Sequence, residues 1–391
     1  MLFTIYTITT LTIAILRKKQ QQNRIHYSNT VDDKKDIILI IGASGAIGKK
    51  LTEKCLQAGW RVLAPLHRTP MPEYLTSKYG KDQLISEFGF DITKWKIVKE
   101  LFEKYSKNIF CVWNLAAPLS VEAEKNPKLS EQVTVGGMKS ILAAMSKYNV
   151  NKICFSDSIG SFGNGSPRYD CPANFLIYNP AHDSGSSYGL QKSKCRQLLK
   201  EFSYKDKEND TRFAVIPGVL HGSAKWGDGT TEYALEALKF GVYSSNKEYH
   251  CPVPLTKPLP MIYIDDLIQG LYLLMVTKKK YLHEPENGYS MAGFSFNARD
   301  LFHEIMTKYN SKFKFKLAIL EKKSNEPTAA FKFANLWPCS LSPYEARNDL
   351  HFNAKYNFET TIASIIDKHR ERRKMDAKNA RNVILTSINR V

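Results

Sequence analysis

Asp36-Ile-Ile-Leu-Ile-Ile41-Gly42-Ala-Ser-Gly45-Ala-Ile-Gly48 decides the fold of this chain. A short apolar run rich in β-branched residues suits a strand buried on both faces of a parallel sheet. Glycines at 42, 45 and 48 follow at once, and Lys49 to Ala58 reads as a helix closed by Gly59. Strand, glycine turn and helix in that order make a cradle for a dinucleotide diphosphate. Glycine permits the tight turn and the close approach of backbone N–H groups. The helix N-terminus adds partial positive charge.

The alternation continues downstream. Trp60-Arg-Val-Leu-Ala-Pro-Leu66 reads as a second strand. Phe88-Gly-Phe-Asp91-Ile92 reads as a third, followed by a helix from Thr93 to Tyr105. Ile109-Phe-Cys-Val-Trp-Asn114 is a fourth strand. It enters Leu115-Ala116-Ala117, small residues where backbone must approach a ligand. Val133 to Tyr148 reads as a helix and Lys152 to Ser158 as a fifth strand. Strands alternating with helices predict an α/β, Rossmann-type doubly wound parallel sheet with ligands at its carboxyl edge. A smaller C-terminal α+β lobe would complete the substrate site. The expected divisions are an N-terminal segment at 1–35, an NAD(P)-binding domain at 36–216, an interwoven substrate lobe at 217–367 and a basic tail at 368–391.

The end of the second strand should carry an acid for the ribose 2′-hydroxyl of NAD. Here it reads Pro65-Leu66-His67-Arg68. Arg68 and His67 suit a 2′-phosphate, so NAD and NADP both stay open. Asp91 has two readings, a partner for the adenine amino group or an N-cap for the helix that follows.

Ser158 stands at the carboxyl end of the fifth strand. Tyr188-Gly-Leu-Gln-Lys192 then puts a phenol and an ammonium at i and i+4, on one helix face. A neighbouring cation favours the phenolate. In that way a phenol, ordinarily titrating near ~10, serves as a base near neutral pH. The serine can hold a substrate oxygen, the tyrosine can take its proton, and the lysine can hold the nicotinamide ribose.

These residues together resemble the extended short-chain dehydrogenase/reductase superfamily. The downstream blocks Ser158-Ile-Gly-Ser-Phe-Gly163, Pro217-Gly218, Gly229-Thr-Thr-Glu-Tyr-Ala234, Leu259-Pro-Met-Ile-Tyr-Ile-Asp-Asp266 and Ala346-Arg-Asn-Asp349 resemble short-chain-type L-threonine 3-dehydrogenase, over about residues 36–367. The resemblance implies NAD-dependent oxidation of the threonine β-hydroxyl to 2-amino-3-ketobutyrate. It places cofactor contacts at Gly42, Ser44, Gly45, Ala46, Ile47, Gly48, Asp91, Ile92, Leu115, Ala116, Ala117, Tyr188 and Lys192. Substrate contacts fall on Ser120, Ser158, Tyr188, Gly229, Thr231 and Trp337, and catalysis on Ser158, Tyr188 and Lys192. The expected assembly is a homodimer.

The chain departs from that pattern in several places. Leu66 replaces the family's acid. Asp228 adds negative charge beside the Thr230-Thr231 hydroxyls, which suit a carboxylate. Asp157 adjoins the catalytic hydroxyl, and the 163–188 segment is longer. These changes fit a related hydroxy acid substrate or a weakened enzyme. The competing functions are another extended-family enzyme, such as a nucleotide-sugar epimerase, or a dinucleotide-sensing binding protein.

A formal charge of +18 admits a polyanion partner. The lysines are scattered, however, and no zinc-finger, RNP or helix-turn-helix pattern occurs, so a solvated basic surface is expected and nucleic acid is not. The seven cysteines, Cys55, Cys111, Cys154, Cys171, Cys195, Cys251 and Cys339, form no C-x-x-C. They read as free buried thiols, with no metal site.

Leu2 to Leu16 is apolar and runs into Arg17-Lys18-Lys19; residues 1–31 carry no acid. The run is short of the roughly 20 residues of a membrane span. A mitochondrial presequence is the first reading, with a membrane anchor at residues 2–16 next and a secretory signal last. The basic tail is expected to be a solvated, disordered chain, its alternative being contact with an anionic surface.

Overall fold

A computed structural model describes residues 35–179, 183–222, 229–243, 248–282, 288–320 and 325–388. The N-terminal segment with its proposed presequence, and Asp228, lie outside the described residues. Among the described residues no helix is long and apolar enough to cross a membrane.

Seven parallel strands form the central sheet. In chain order they are β1 (Ile37–Ile41), β2 (Arg61–Leu66), β3 (Leu84–Phe88), β4 (Ile109–Asn114), β5 (Lys152–Ser158), β6 (Asp210–Ile216) and β10 (Gly288–Ser290), ordered in space β10-β6-β5-β4-β1-β2-β3. Every residue of β1 is buried, as a strand covered on both faces requires. After β1 the chain builds outward on one side, then returns to build the other. That reversal opens a crevice beyond the carboxyl ends of β1 and β4.

Two small sheets complete the structure: β11 (Phe294–Phe296), β9 (Leu259–Tyr263) and β7 (Gly218–Leu220) in one, β12 (Lys314–Leu317) and β8 (Glu248–Cys251) in the other. The chain enters these strands from β6 and returns to the main sheet through β10, so the two parts are interwoven. Helix Ala298–Lys308 starts on a capping box between Asn297 and Asp300. All seven cysteines are free and buried.

Two expectations are corrected. The third strand is not Phe88–Ile92; it ends at Phe88. Gly89 follows at φ +78°, a left-handed conformation that breaks the extended run. The C-terminal segment is not a disordered tail up to residue 388, because helix Phe358–Ile388 runs through it. Buried Ile362, Ile365 and Ile366 pack its first turns on the core. Lys368 Nζ then bonds the Tyr263 hydroxyl and faces Asp265 at 3.6 Å. Arg372 donates to the Gly222 carbonyl at 2.6 Å.

Candidate active site

The glycine turn is shaped by steric necessity at two of its three glycines. Gly42 has φ +88°, and a Cβ there would lie 3.2 Å from the Ala116 nitrogen. A Cβ on Gly48 would lie 2.0 Å from the Gly42 carbonyl oxygen, so helix Ala46–Gln57 packs directly on the turn. Gly45 differs. It is exposed, and a Cβ would meet only the Gly42 oxygen, at 3.3 Å. The backbone there is open to a ligand, and the first helical turn offers N–H groups with no intrahelical acceptor. A diphosphate fits this cradle.

Gly42, Gly45, Ala46, Ile47 and Gly48 line one side of a cavity of about 460 Å³, with Leu115 and Ala117 beside them. Ser158, Tyr188 and Lys192 line it as well, and so do Ser120, Gly229, Thr231 and Trp337. The proposed cofactor and substrate residues thus share one space. Four do not line it: Ser44, Asp91, Ile92 and Ala116. Ile92 is buried against Gly137, where a Cβ would lie 2.7 Å from its Cδ1. Asp91 Oδ1 accepts from the N–H and hydroxyl of Thr93 at 2.9 and 2.7 Å. Those bonds hold its carboxyl below the ordinary range, and they tie the turn before helix Trp95–Tyr105.

Strand register brings the reactive groups forward. Asn114, the last residue of β4, pairs with Phe155, so β5 runs on past it to Ser158. Ser158 Oγ accepts the Gly160 N–H at 3.1 Å, which leaves its own proton free to donate. Helix Ser187–Lys205 is capped by Ser186, which accepts from Gly189 N–H. Near its start Tyr188 N–H donates to Glu124 at 3.2 Å. The Lys192 side chain is buried. Its Nζ donates to Ser156 O at 2.6 Å and lies 4.7 Å from the Phe155 ring centre and 5.4 Å from that of Tyr188. A buried ammonium with one carbonyl acceptor keeps two N–H bonds for a ligand.

The substrate end joins three elements. Thr230 N–H and Oγ1 both lie 3.4 Å from Ser120 Oγ, linking helix Ser120–Lys125 to the Gly229–Glu232 turn. Trp337 follows helix Ala329–Leu336; its indole Nε1 is buried with no partner. Two cations hold that helix end. Lys257 Nζ bonds the Asn335 and Trp337 carbonyls at 2.6 and 2.7 Å, and Arg168 donates to Asn335, Leu336 and Trp337 at 3.0, 3.0 and 3.2 Å. Burial and then the neighbouring Arg168 push Lys257 down to about 8.

Leu66 is fully buried, so no side chain at that position reaches a ribose; His67 and Arg68 beyond it are exposed. Asp157, suspected of disturbing Ser158, is instead engaged by Arg196 at 2.5 Å. Several lining residues went unmarked in the sequence. His221, buried at the end of β7, is pushed down to about 4 by burial and then by Lys49, His369 and Arg372. Glu232 lines the substrate end. Gly160 touches the Tyr188 ring, and its place in Ser158-Ile-Gly-Ser was the one available signal.

A family model described as the NAD dependent epimerase/dehydratase family matches residues 38–284. A Staphylococcus aureus (strain USA300) protein named as an uncharacterized epimerase/dehydratase is 28% identical over 334 residues, 84% of this chain and 95% of that one. A monomeric L-threonine 3-dehydrogenase from a metagenome, solved in its apo form, aligns with TM-score 0.72 at 27% identity, covering 85% of this chain and 99% of that one. The UDP-glucose 4-epimerase of Thermotoga maritima shares the fold, with TM-score 0.67 at 18% identity over 86% of this chain and 99% of that one. Sheet, glycine cradle and these likenesses agree: the chain belongs to the NAD-dependent epimerase/dehydratase family, as an enzyme of the nicotinamide-dinucleotide-dependent oxidoreductase or epimerase type.

Proposed function

We propose that this chain oxidises the β-hydroxyl of L-threonine, or of a close hydroxy amino acid, to the 2-amino-3-keto acid. The observation that carries the reading is one cavity holding the glycine cradle, Ser158, Tyr188 and Lys192 together with Gly229, Thr231 and Trp337. A nicotinamide dinucleotide, when bound, supplies the hydride acceptor. Ser158 Oγ donates to the substrate hydroxyl oxygen and orients it. Tyr188 Oη takes the hydroxyl proton as the C–H bond breaks. The Lys192 ammonium stabilises the resulting charge and holds a ribose hydroxyl. The Thr230–Thr231 turn receives the substrate carboxylate, and Trp337 closes the wall.

The cavity size favours a small substrate over a nucleotide sugar, which would have to share about 460 Å³ with the reactive end of the cofactor. The test is nicotinamide reduction by the purified chain with L-threonine and either NAD or NADP. Cofactor binding without turnover would sink the threonine reading and favour a sensor; turnover of a UDP-sugar instead would favour the epimerase.

A further inference from the structure

Tyr188, Lys192 and Arg196 recur at i, i+4 and i+8, one face over three turns of helix Ser187–Lys205. Each meets the end of β5 in turn. The Tyr188 ring lies on Gly160 beside Ser158 Oγ. Lys192 bonds Ser156 O at 2.6 Å, and Arg196 Nη1 meets Asp157 Oδ2 at 2.5 Å. The other oxygen of Asp157 accepts Ser158 N–H at 2.8 Å and Ser161 Oγ at 2.5 Å. One carboxylate therefore ties the helix to the backbone of the residue whose hydroxyl is proposed to bind substrate.

The pair is out of water, with Asp157 and Arg196 side chains 0% and 8% exposed. Burying two charges gains little net stability, because desolvation offsets their attraction. What such a pair supplies is direction, since a guanidinium–carboxylate contact tolerates little sliding. We propose that Asp157–Arg196 is a positioning pair that fixes the axial register of the Tyr188 helix on β5, and so sets where the phenol stands relative to the Ser158 hydroxyl. The inference rests on the roles given above to Ser158 and Tyr188.

The test uses the full chain with NAD and L-threonine. Arg196→Met alone would strand a buried carboxylate and endanger the fold. The informative variant is the neutral double, Asp157→Asn with Arg196→Met, with Arg196→Lys beside it. The expected result is a double variant that melts and binds NAD like the unmodified chain, with KM unchanged, kcat lowered about 10²-fold and the basic limb of its pH–rate profile displaced. Arg196→Lys should recover most of kcat. A double variant with undiminished kcat and an unmoved profile overturns the proposal, as does a loss of kcat matched by equal losses in melting and cofactor binding. Failure of the unmodified chain to oxidise threonine counts against the substrate reading alone. Register is then read from the ionisation of Tyr188, by ultraviolet difference titration of each chain against its Tyr188→Phe form. A displaced curve in the double variant supports the pair, and a superimposable one overturns it.

Discussion

The Tyr188 ring lies so close to Gly160 that a methyl group there would stand 2.8 Å from its Cδ1 and 2.9 Å from its Cε1. Gly160→Ala should therefore push the phenol away from Ser158 while leaving the glycine cradle intact. Expected are a kcat lowered about 10²-fold and an unchanged NAD dissociation constant. Steady-state kinetics beside equilibrium titration checks this, and an active Gly160→Ala enzyme would remove the phenol from that place.

Tyr188→Phe should abolish hydride transfer and spare cofactor binding, since only the proton acceptor is lost. The measurement is single-turnover nicotinamide absorbance with bound cofactor quantified separately. Near-normal turnover in this variant would exclude the phenol as the base.

His221 fixes an acid limit. Its ordinary value is 6.5 and its folded value about 4, so between these the unfolded chain binds the extra proton. Stability should be complete above pH 6.5, fall by up to about 3 kcal/mol as pH drops from 6.5 to 4, and level off below. Urea unfolding across this range should show a shallower decline in His221→Gln than in the unmodified chain.

Lys257 gives an opposite limit on the alkaline side. Its folded value is about 8 against an ordinary 10.5, so holding it charged costs stability below pH 8. The unfolded chain binds more protons between 8 and 10.5, and stability from this residue should rise across that window. Thermal melts of the unmodified chain and Lys257→Met from pH 7.5 to 10 should converge if this sign is right.

Cofactor choice turns on Arg68. With Leu66 buried, the exposed Arg68 is the group placed to meet a 2′-phosphate. Arg68→Ala should weaken NADP binding about tenfold, as loss of one charge-assisted hydrogen bond does, and leave NAD binding unchanged. Equal effects on both would show that Arg68 reads the shared diphosphate or nothing.

What the sequence revealed was local. The β1–glycine–helix unit was legible because its strand, turn and helix signals are contiguous, and β5 was legible from Lys152 to Ser158 because an unbroken apolar run ends in polar residues. The Tyr188–Lys192 pair was legible through helical spacing. Asp157 was misread as a disturbance because its neutralising partner, Arg196, lies beyond a loop and along another helix, where no periodicity links them. The end of β3 was missed because Phe88-Gly-Phe alternates like a strand, and only the positive φ of Gly89 breaks it. The helical C-terminal segment was hidden by its charge, since Lys368 and Arg372 look solvated until Tyr263 and the Gly222 carbonyl are brought beside them.

Those last contacts bear on how the protein can be handled. Gly222 adjoins His221 in the cavity wall, and Arg372 and Lys368 fasten it from outside the stretch that resembles other dehydrogenases. A fragment ending at Asp367 would keep every proposed catalytic side chain and lose both fasteners. Trimming that looks harmless by sequence alignment would then loosen the wall facing the cofactor cradle, and an inactive fragment would say nothing about the chemistry of the whole chain.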